Sequence, residues 1–211
     1  MNLELYVITD ESSGRTHTEI ARGSCAGGAD VIQLRDKHRP GRILCAVGKE
    51  IRAITRETDT LFIVNDRLDV ALACGADGVH LGQDDLPVDV ARRLAPRPFI
   101  IGVSVGSTTE AVTAERSGAD YVAVSPVFET GTKKDAGPGL GLEAIRKIRE
   151  SVSIPVIAIG GISCDNVHEV ISAGADGVAV ISAVVGKPDI EAAVRELKSR
   201  ISAAKNTPGT R

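Results

Sequence analysis

The chain has 211 residues, 43% hydrophobic and 25% charged, which suits one soluble domain with a sizeable core. A net charge of −3 argues against general polyanion binding, and 2% aromatics with no tryptophan leaves no stacking platform for single-stranded nucleic acid. No apolar run approaches the ~20 residues that cross a bilayer, so neither nucleic acid nor membrane is an expected partner.

In chain order, two kinds of apolar run alternate. LYVITD (Leu5–Asp10) precedes GADVIQLR (Gly28–Arg35), and LFIVND (Leu61–Asp66) precedes GADGVHLG (Gly75–Gly82). FIIGVS (Phe99–Ser104) precedes GADYVAVS (Gly118–Ser125), and PVIAIGG (Pro155–Gly161) precedes GADGVAVI (Gly174–Ile181). Each Gly-Ala-Asp follows a helix-like stretch, where a glycine suits a left-handed cap. Val/Ile runs without polar alternation suit parallel strands covered on both faces. Eight such strands with helices between them predict a single (β/α)8 barrel over residues 1–198. A doubly wound sheet fits less well, because no G-x-G-x-x-G follows the first strand. The polar stretch from 199 to 211, SRISAAKNTPGTR, is expected to fray. With the first strand starting so early, no signal peptide is expected. Cys25, Cys45, Cys74 and Cys164 have no metal-like or redox-like spacing, so reduced thiols in the cytoplasm are expected. No exposed apolar stripe is legible, and a homo-oligomer is compatible with the sequence.

In such a barrel the active site forms where the strands end at their carboxyl side. Those ends carry Tyr6, Thr9 and Asp10; Gln33, Arg35 and Lys37; Asn65 and Asp66; His80, Gln83 and Asp85; and Ser104. The loop after the sixth strand adds Thr130, Thr132, Lys133 and Lys134, and the last two strands end in Gly160-Gly161 and Ile181-Ser182. Polar residues do collect where strands stop, but several of these types are poor choices for a mere loop. Strand alternation places Gln33 and Arg35 on one face, with Lys37 continuing the parity. Two converging cations need an anion, and an arginine with a lysine suits phosphate. Asp66 and Asp85 could work as acid and base. A hard cation shared with the phosphates fits better, since Mg²⁺ is held by one or two carboxylates plus substrate oxygens. Asp84 or Asp89 could cap the helix that follows, so Asp85 is not needed there. The loop around Thr130, Gly131, Thr132 and Lys133 is glycine-rich and long, as a lid or simply as a polar loop. The glycines after strand seven and Ile181-Ser182 after strand eight form a second phosphate cup. His80 shares the register of Gln33 and should face the interior, as a satisfied core histidine in preference to a catalytic one. His17, His38 and His168 receive no role.

These residues carry a family resemblance. QLRDK (Gln33–Lys37), ND (Asn65–Asp66), GADGVHLGQDDLP (Gly75–Pro87), IIGVS (Ile100–Ser104), FETGTK (Phe128–Lys133), AIGGI (Ala158–Ile162) and VIS (Val180–Ser182) follow one another on successive strand ends. From Leu5 to about Val185 the chain resembles the thiamine phosphate synthase family. The resemblance implies a transferase of thiamine biosynthesis. It would join hydroxymethylpyrimidine diphosphate to hydroxyethylthiazole phosphate, or its carboxylated form, releasing pyrophosphate. It implies that Gln33, Leu34, Arg35, Asp36, Lys37, Asn65, Ser104 and Lys133 hold the pyrimidine diphosphate, with Tyr6 against the ring. Asp66 and Asp85 would hold Mg²⁺, and Thr130, Gly131, Thr132, Gly161, Ile181 and Ser182 the thiazole phosphate. Arg35, Lys37, Ser104 and Lys133 would be catalytic. Gly106 stands where many relatives have histidine, and Ser125 where glycine is usual. A related thiazole tautomerase shares the fold but has no use for a diphosphate cage. A non-catalytic phosphate-ligand sensor would not need the metal ligands.

Overall fold

The computed structural model describes residues 1–11, 14–130 and 137–207. Among them eight parallel strands close into a barrel in sequence order, β1 to β8, with β8 paired back to β1. The strands are β1 (Leu5–Ile8), β2 (Val31–Leu34), β3 (Leu61–Asn65), β4 (Gly78–Leu81), β5 (Ile100–Val105), β6 (Tyr121–Val124), β7 (Val156–Ile159) and β8 (Gly177–Val180). The helices are α1 (His17–Ala26), α2 (Gly41–Glu57), α3 (Leu68–Cys74), α4 (Val88–Leu94), α5 (Thr108–Arg116), α6 (Gly141–Ser151), α7 (Val167–Ser172), the short α8 (Ser182–Val185) and α9 (Ile190–Lys205). The expected (β/α)8 barrel is therefore the fold. No described helix is long and apolar enough to cross a membrane.

Local signals account for the helices. Thr16 and Glu19 form a reciprocal capping box at the start of α1, Ser107 caps α5, and Asp189 caps α9 by accepting from the Ala192 N–H. Helix α9 corrects the expected boundary at residue 198. It runs to Lys205, and Val194, Leu197, Ile201 and Ala204 are all buried along one face. That stripe is easily missed because polar residues interrupt it, as composition alone is read. Residues 208–211 of the expected tail lie outside the described residues.

The four Gly-Ala-Asp copies do one job. Their glycines, Gly28, Gly75, Gly118 and Gly174, all have positive φ, between 71° and 102°. Each aspartate then grips the strand before its own. The backbone N–H groups of Asp30, Asp77, Asp120 and Asp176 donate to the carbonyls of Leu5, Phe62, Ile101 and Val156 at 2.7–2.9 Å. Their carboxylates accept the N–H groups of the same four residues, at 2.8–2.9 Å. A cation from the outer layer completes each pair: Lys198, Arg52, Arg92 and Arg149 respectively. The amino end of the barrel is thus stitched by four equivalent carboxylates.

The outer core fills the space between strands and helices, and a smaller cluster fills the barrel interior. Strand parity sorts residues between them. Leu34, Val79, Val103 and Val124 point outward to the helices. Tyr6, Ile8, Val31, Ile63, Tyr121, Ala123, Ile157 and Ala179 point inward. Near the carboxyl end the same parity brings polar Gln33, Asn65, His80 and Ser104 inward from β2 to β5. The opposite half, β6 to β1, remains apolar with Ala123, Ile159, Ala179 and Ile8. The mouth therefore has a polar side and an apolar side.

Candidate active site

Two adjoining cavities open at the carboxyl ends of the strands, of about 1010 and about 700 Å³ including solvent-open space. Arg35, Asn65, His80 and Ser104 line both. The larger is rimmed by Lys37, Asp66 and Asp85, and the smaller by Gln33, Thr130, Gly161, Ile181 and Ser182. These expected site residues, scattered from position 33 to 182, are thus brought together. Gly131, Thr132, Lys133 and Lys134 lie outside the described residues.

Asp66 sits just past β3 in the left-handed region, φ 62°, which aspartate tolerates better than most residues. Its N–H donates to the His80 carbonyl at 2.8 Å, which ties the turn to β4. The carboxyl groups of Asp66 and Asp85 are within hydrogen-bonding reach. Burial first, and then Asp85, push the Asp66 carboxyl up to about 6, against the opposing pull of Lys37 and Arg35. Two facing carboxylates that resist joint ionisation offer a donor set that could hold a hard cation. Asp85 Oδ2 accepts the Gly82 N–H at 2.6 Å, and α4 begins after Pro87 without a side-chain cap. Asp85 thus serves the turn and the mouth, not the helix.

The side chains of three residues expected at the site do not line the two cavities. The Leu34 side chain is buried in the outer core, because strand parity turns it away from the cavity occupied by Gln33 and Arg35. Tyr6 lies one layer beneath the cavity, fully enclosed, with Gln33 above it. The Asp36 carboxylate turns back into its own loop. It accepts the N–H groups of His38 and Arg39 at 2.8 and 3.0 Å and lies 3.4 Å from His17 Nε2. Partial burial raises the Asp36 carboxyl, but these contacts outweigh it and hold the group below its ordinary value.

His17, which the sequence reading left without a role, is buried at the head of α1. Its Nδ1 meets Thr9 Oγ1 at 2.7 Å, and Thr9 Oγ1 in turn accepts the Arg35 N–H at 3.3 Å. The ring thereby braces the β2 loop that carries Arg35 and Lys37. Glu11, His17 and Asp36 could together reach one metal ion, but Arg39 already bridges Glu11 and Asp36.

The other residue that the sequence reading missed is Tyr121. Its hydroxyl meets Tyr6 Oη at 2.9 Å and His80 Nδ1 at 3.0 Å, while His80 Nε2 reaches Ser104 Oγ at 2.9 Å. A signal was present: Val31, Gly78 and Gly177 hold the equivalent place in the other three copies. The ring fits because Gly102 faces it across the β5–β6 pair, where a Cβ would lie 1.9 Å from the ring.

Residues 5–184 match the family model described as thiamine monophosphate synthase. The chain is 68% identical over 207 residues to a thiamine-phosphate synthase of Methanoregula boonei, covering 97% of this chain and 96% of that protein. A thiamine-phosphate synthase of Methanoculleus marisnigri is 63% identical over 97% of this chain and 98% of its own length. The solved thiamine phosphate pyrophosphorylase from Pyrococcus furiosus superposes with a TM-score of 0.90 at 50% identity, covering 96% of each chain. With a family match spanning every described strand and relatives matched almost end to end, the chain belongs to the thiamine monophosphate synthase family of transferases.

Proposed function

We propose that the protein joins hydroxymethylpyrimidine diphosphate to hydroxyethylthiazole phosphate, or to its carboxylated form with loss of carbon dioxide, giving thiamine phosphate and pyrophosphate in the cytoplasm. The observation that carries this reading is the pairing of Asp66 and Asp85 beside Arg35 and Lys37, in a cavity continuous with a second one rimmed by Gly161, Ile181 and Ser182. The larger cavity suits a diphosphate, and the smaller suits a single phosphate at its Gly161, Ile181 and Ser182 rim, with the pyrimidine ring of the diphosphate reaching into it beside Gln33. The apolar wall of Ile8, Ile159 and Ala179 suits the body of a thiazole.

Asp66 and Asp85 would hold Mg²⁺, and the raised Asp66 carboxyl is the fit expected of a pair that a divalent cation relieves. When bound, the ion would neutralise charge on the diphosphate oxygens. The electron-rich aminopyrimidine can expel pyrophosphate, which leaves with the electron pair of the broken C–O bond. The thiazole nitrogen then forms the new C–N bond with its lone pair. With hydroxyethylthiazole phosphate as acceptor, no proton transfer is needed to form the new bond. The work left to the protein is charge stabilisation, alignment and exclusion of water. Arg35, Lys37 and Lys133 would meet the growing charge on the leaving group. Asn65, Gln33 and Ser104 would align the pyrimidine diphosphate. Thr130, Gly131, Thr132, Gly161, Ile181 and Ser182 would seat the thiazole phosphate.

The test is pyrophosphate release with Mg²⁺, pyrimidine diphosphate and thiazole phosphate, each omitted in turn. Release that needs all three, matched by thiamine phosphate in equal amount, supports the reading. Rearrangement of a thiazole phosphate without metal or diphosphate would replace it with a tautomerase. Lys133→Ala should lower turnover by roughly 10²-fold while leaving the melting temperature in place; full turnover in the folded variant would remove Lys133 from the site.

A further inference from the structure

Five polar side chains from five different strands make one continuous chain across the barrel interior. Gln33 Nε2 lies 2.8 Å from Tyr6 Oη, Tyr6 Oη 2.9 Å from Tyr121 Oη, and Tyr121 Oη 3.0 Å from His80 Nδ1. His80 Nε2 closes it at 2.9 Å from Ser104 Oγ. The rings are locked against one another, Tyr6 edge-on to Tyr121 at 6.1 Å and Tyr121 stacked on His80 at 5.6 Å. Both phenols are enclosed, and burial pushes both well up, so they stay neutral and each keeps one proton to place.

Placing those protons gives the chain a direction. An amide nitrogen only donates, so Tyr6 Oη accepts from Gln33. Tyr6 must then give its own proton to Tyr121. The reverse would leave a buried hydroxyl proton with no acceptor among the described residues, at a cost of about 1–3 kcal/mol. Tyr121 in turn gives its proton to His80 Nδ1, which must be the bare nitrogen. A neutral imidazole then carries its proton on Nε2 and donates it to Ser104 Oγ. The Ser104 hydroxyl proton is left for the cavity, and Gln33 presents its carbonyl Oε1 to the same cavity. Turning the Gln33 amide over would invert every link, and both ends of the chain would change character together.

We infer that Tyr6, Tyr121 and His80 are positioning residues that fix the polarity of the ligand pocket, holding Gln33 as acceptor and Ser104 as donor. None of the three needs to touch a reacting atom. The identity of the ligand rests on the functional reading above. An aminopyrimidine diphosphate matches this polarity, with an amino N–H for Gln33 and ring nitrogens or phosphate oxygens for Ser104. A pyrimidine with an oxo group in place of the amino group would set one oxygen against another at Gln33, and buried mismatches of that kind are rejected strongly. The wiring thus makes the interior of the barrel a specificity device.

The test starts from the substrate-free protein labelled with ¹⁵N in its histidine rings. At neutral pH the His80 ring should be the neutral tautomer with Nε2 protonated and Nδ1 bare. A proton on Nδ1, or a doubly protonated ring, overturns the proposal. Tyr121→Phe keeps the ring against Gly102 and removes only the linking oxygen. It should lower kcat/KM for the pyrimidine diphosphate about tenfold, leave KM for the thiazole phosphate unchanged, and let both His80 tautomers appear. Unchanged kcat/KM in this variant also overturns the proposal. If Tyr121→Phe does not fold, Tyr6→Phe breaks the same chain one link further on, with the same expectations. Because the tautomer is read without substrate, a failure of the proposed reaction and a failure of the wiring give separate results.

Discussion

The two ends of this barrel use aspartate in opposite ways. At the amino end, Asp30, Asp77, Asp120 and Asp176 each have a backbone N–H and a cationic partner, so every charge is answered within the fold. At the carboxyl end, Asp66 and Asp85 face each other, and the carboxyl of Asp66 is pushed up to about 6 by burial and by its neighbour. The first arrangement stabilises the chain by itself. The second sets two carboxyl groups against one another, opposed among the described residues by the pull of Lys37 and Arg35. The same side chain is thus a fastener at one end and, in the proposed reading, a receptor at the other, and the difference lies in its neighbours.

Substitutions at the two ends should therefore part company. Asp66→Asn and Asp85→Asn are expected to cut turnover by roughly 10²–10³-fold without lowering the melting temperature, because each removes a repulsion. Steady-state rates beside thermal melts would show it, and a large loss of stability would break the comparison. Asp77→Ala should do the reverse. It leaves the Phe62 N–H and the Arg52 guanidinium without their partner, and Arg52 Nε is already buried with no hydrogen bond. A stability loss of about 1–3 kcal/mol is expected, with turnover per folded molecule kept, as denaturant unfolding and active-site titration would report.

The pH dependence follows from Asp66. Its folded pKa is raised from 3.8 to about 6, so the folded state holds that proton more tightly than the unfolded chain. Protonation therefore stabilises the ion-free protein in acid, and that contribution is lost as pH rises through about 6. A divalent cation should restore it. Mg²⁺ is thus expected to raise the melting temperature more at pH 7.5 than at pH 5, as scanning calorimetry would reveal; an equal shift at both would exclude this pair as the ligand. The smallest effect sharpens the boundary between the ends. His17→Gln keeps a side chain near Thr9 and Asp36, and should raise KM for the pyrimidine diphosphate a few-fold while KM for the thiazole phosphate stays constant.

Much of this was legible because it depends on periodicity and on strand ends. The eight apolar runs and the repeated glycines identified the barrel, and the polar residues that close those runs identified the mouth. What escaped depends on side-chain direction and on partners distant in sequence. Leu34 and Asp36 lie inside a contiguous motif, yet one points to the helices and the other folds back on its own loop. Tyr121 hides in a repeat whose other copies are small, and its value depends on Gly102 in the neighbouring strand. The aspartates of the repeat were visible as a pattern, but their partners sit on α2, α4, α6 and α9, where no local signal points to them. The end of α9 was lost for a related reason, since its buried face is spread thinly among polar residues.

The most direct measurement is a calorimetric titration of Mg²⁺, with inorganic pyrophosphate present, into the wild-type protein, Asp66→Asn and Asp77→Asn. The account predicts binding to the wild type and to folded Asp77→Asn with similar affinity, and loss of that binding in Asp66→Asn. Equal binding by all three proteins would contradict it, since the acids at the mouth would then be no more a receptor than those at the base.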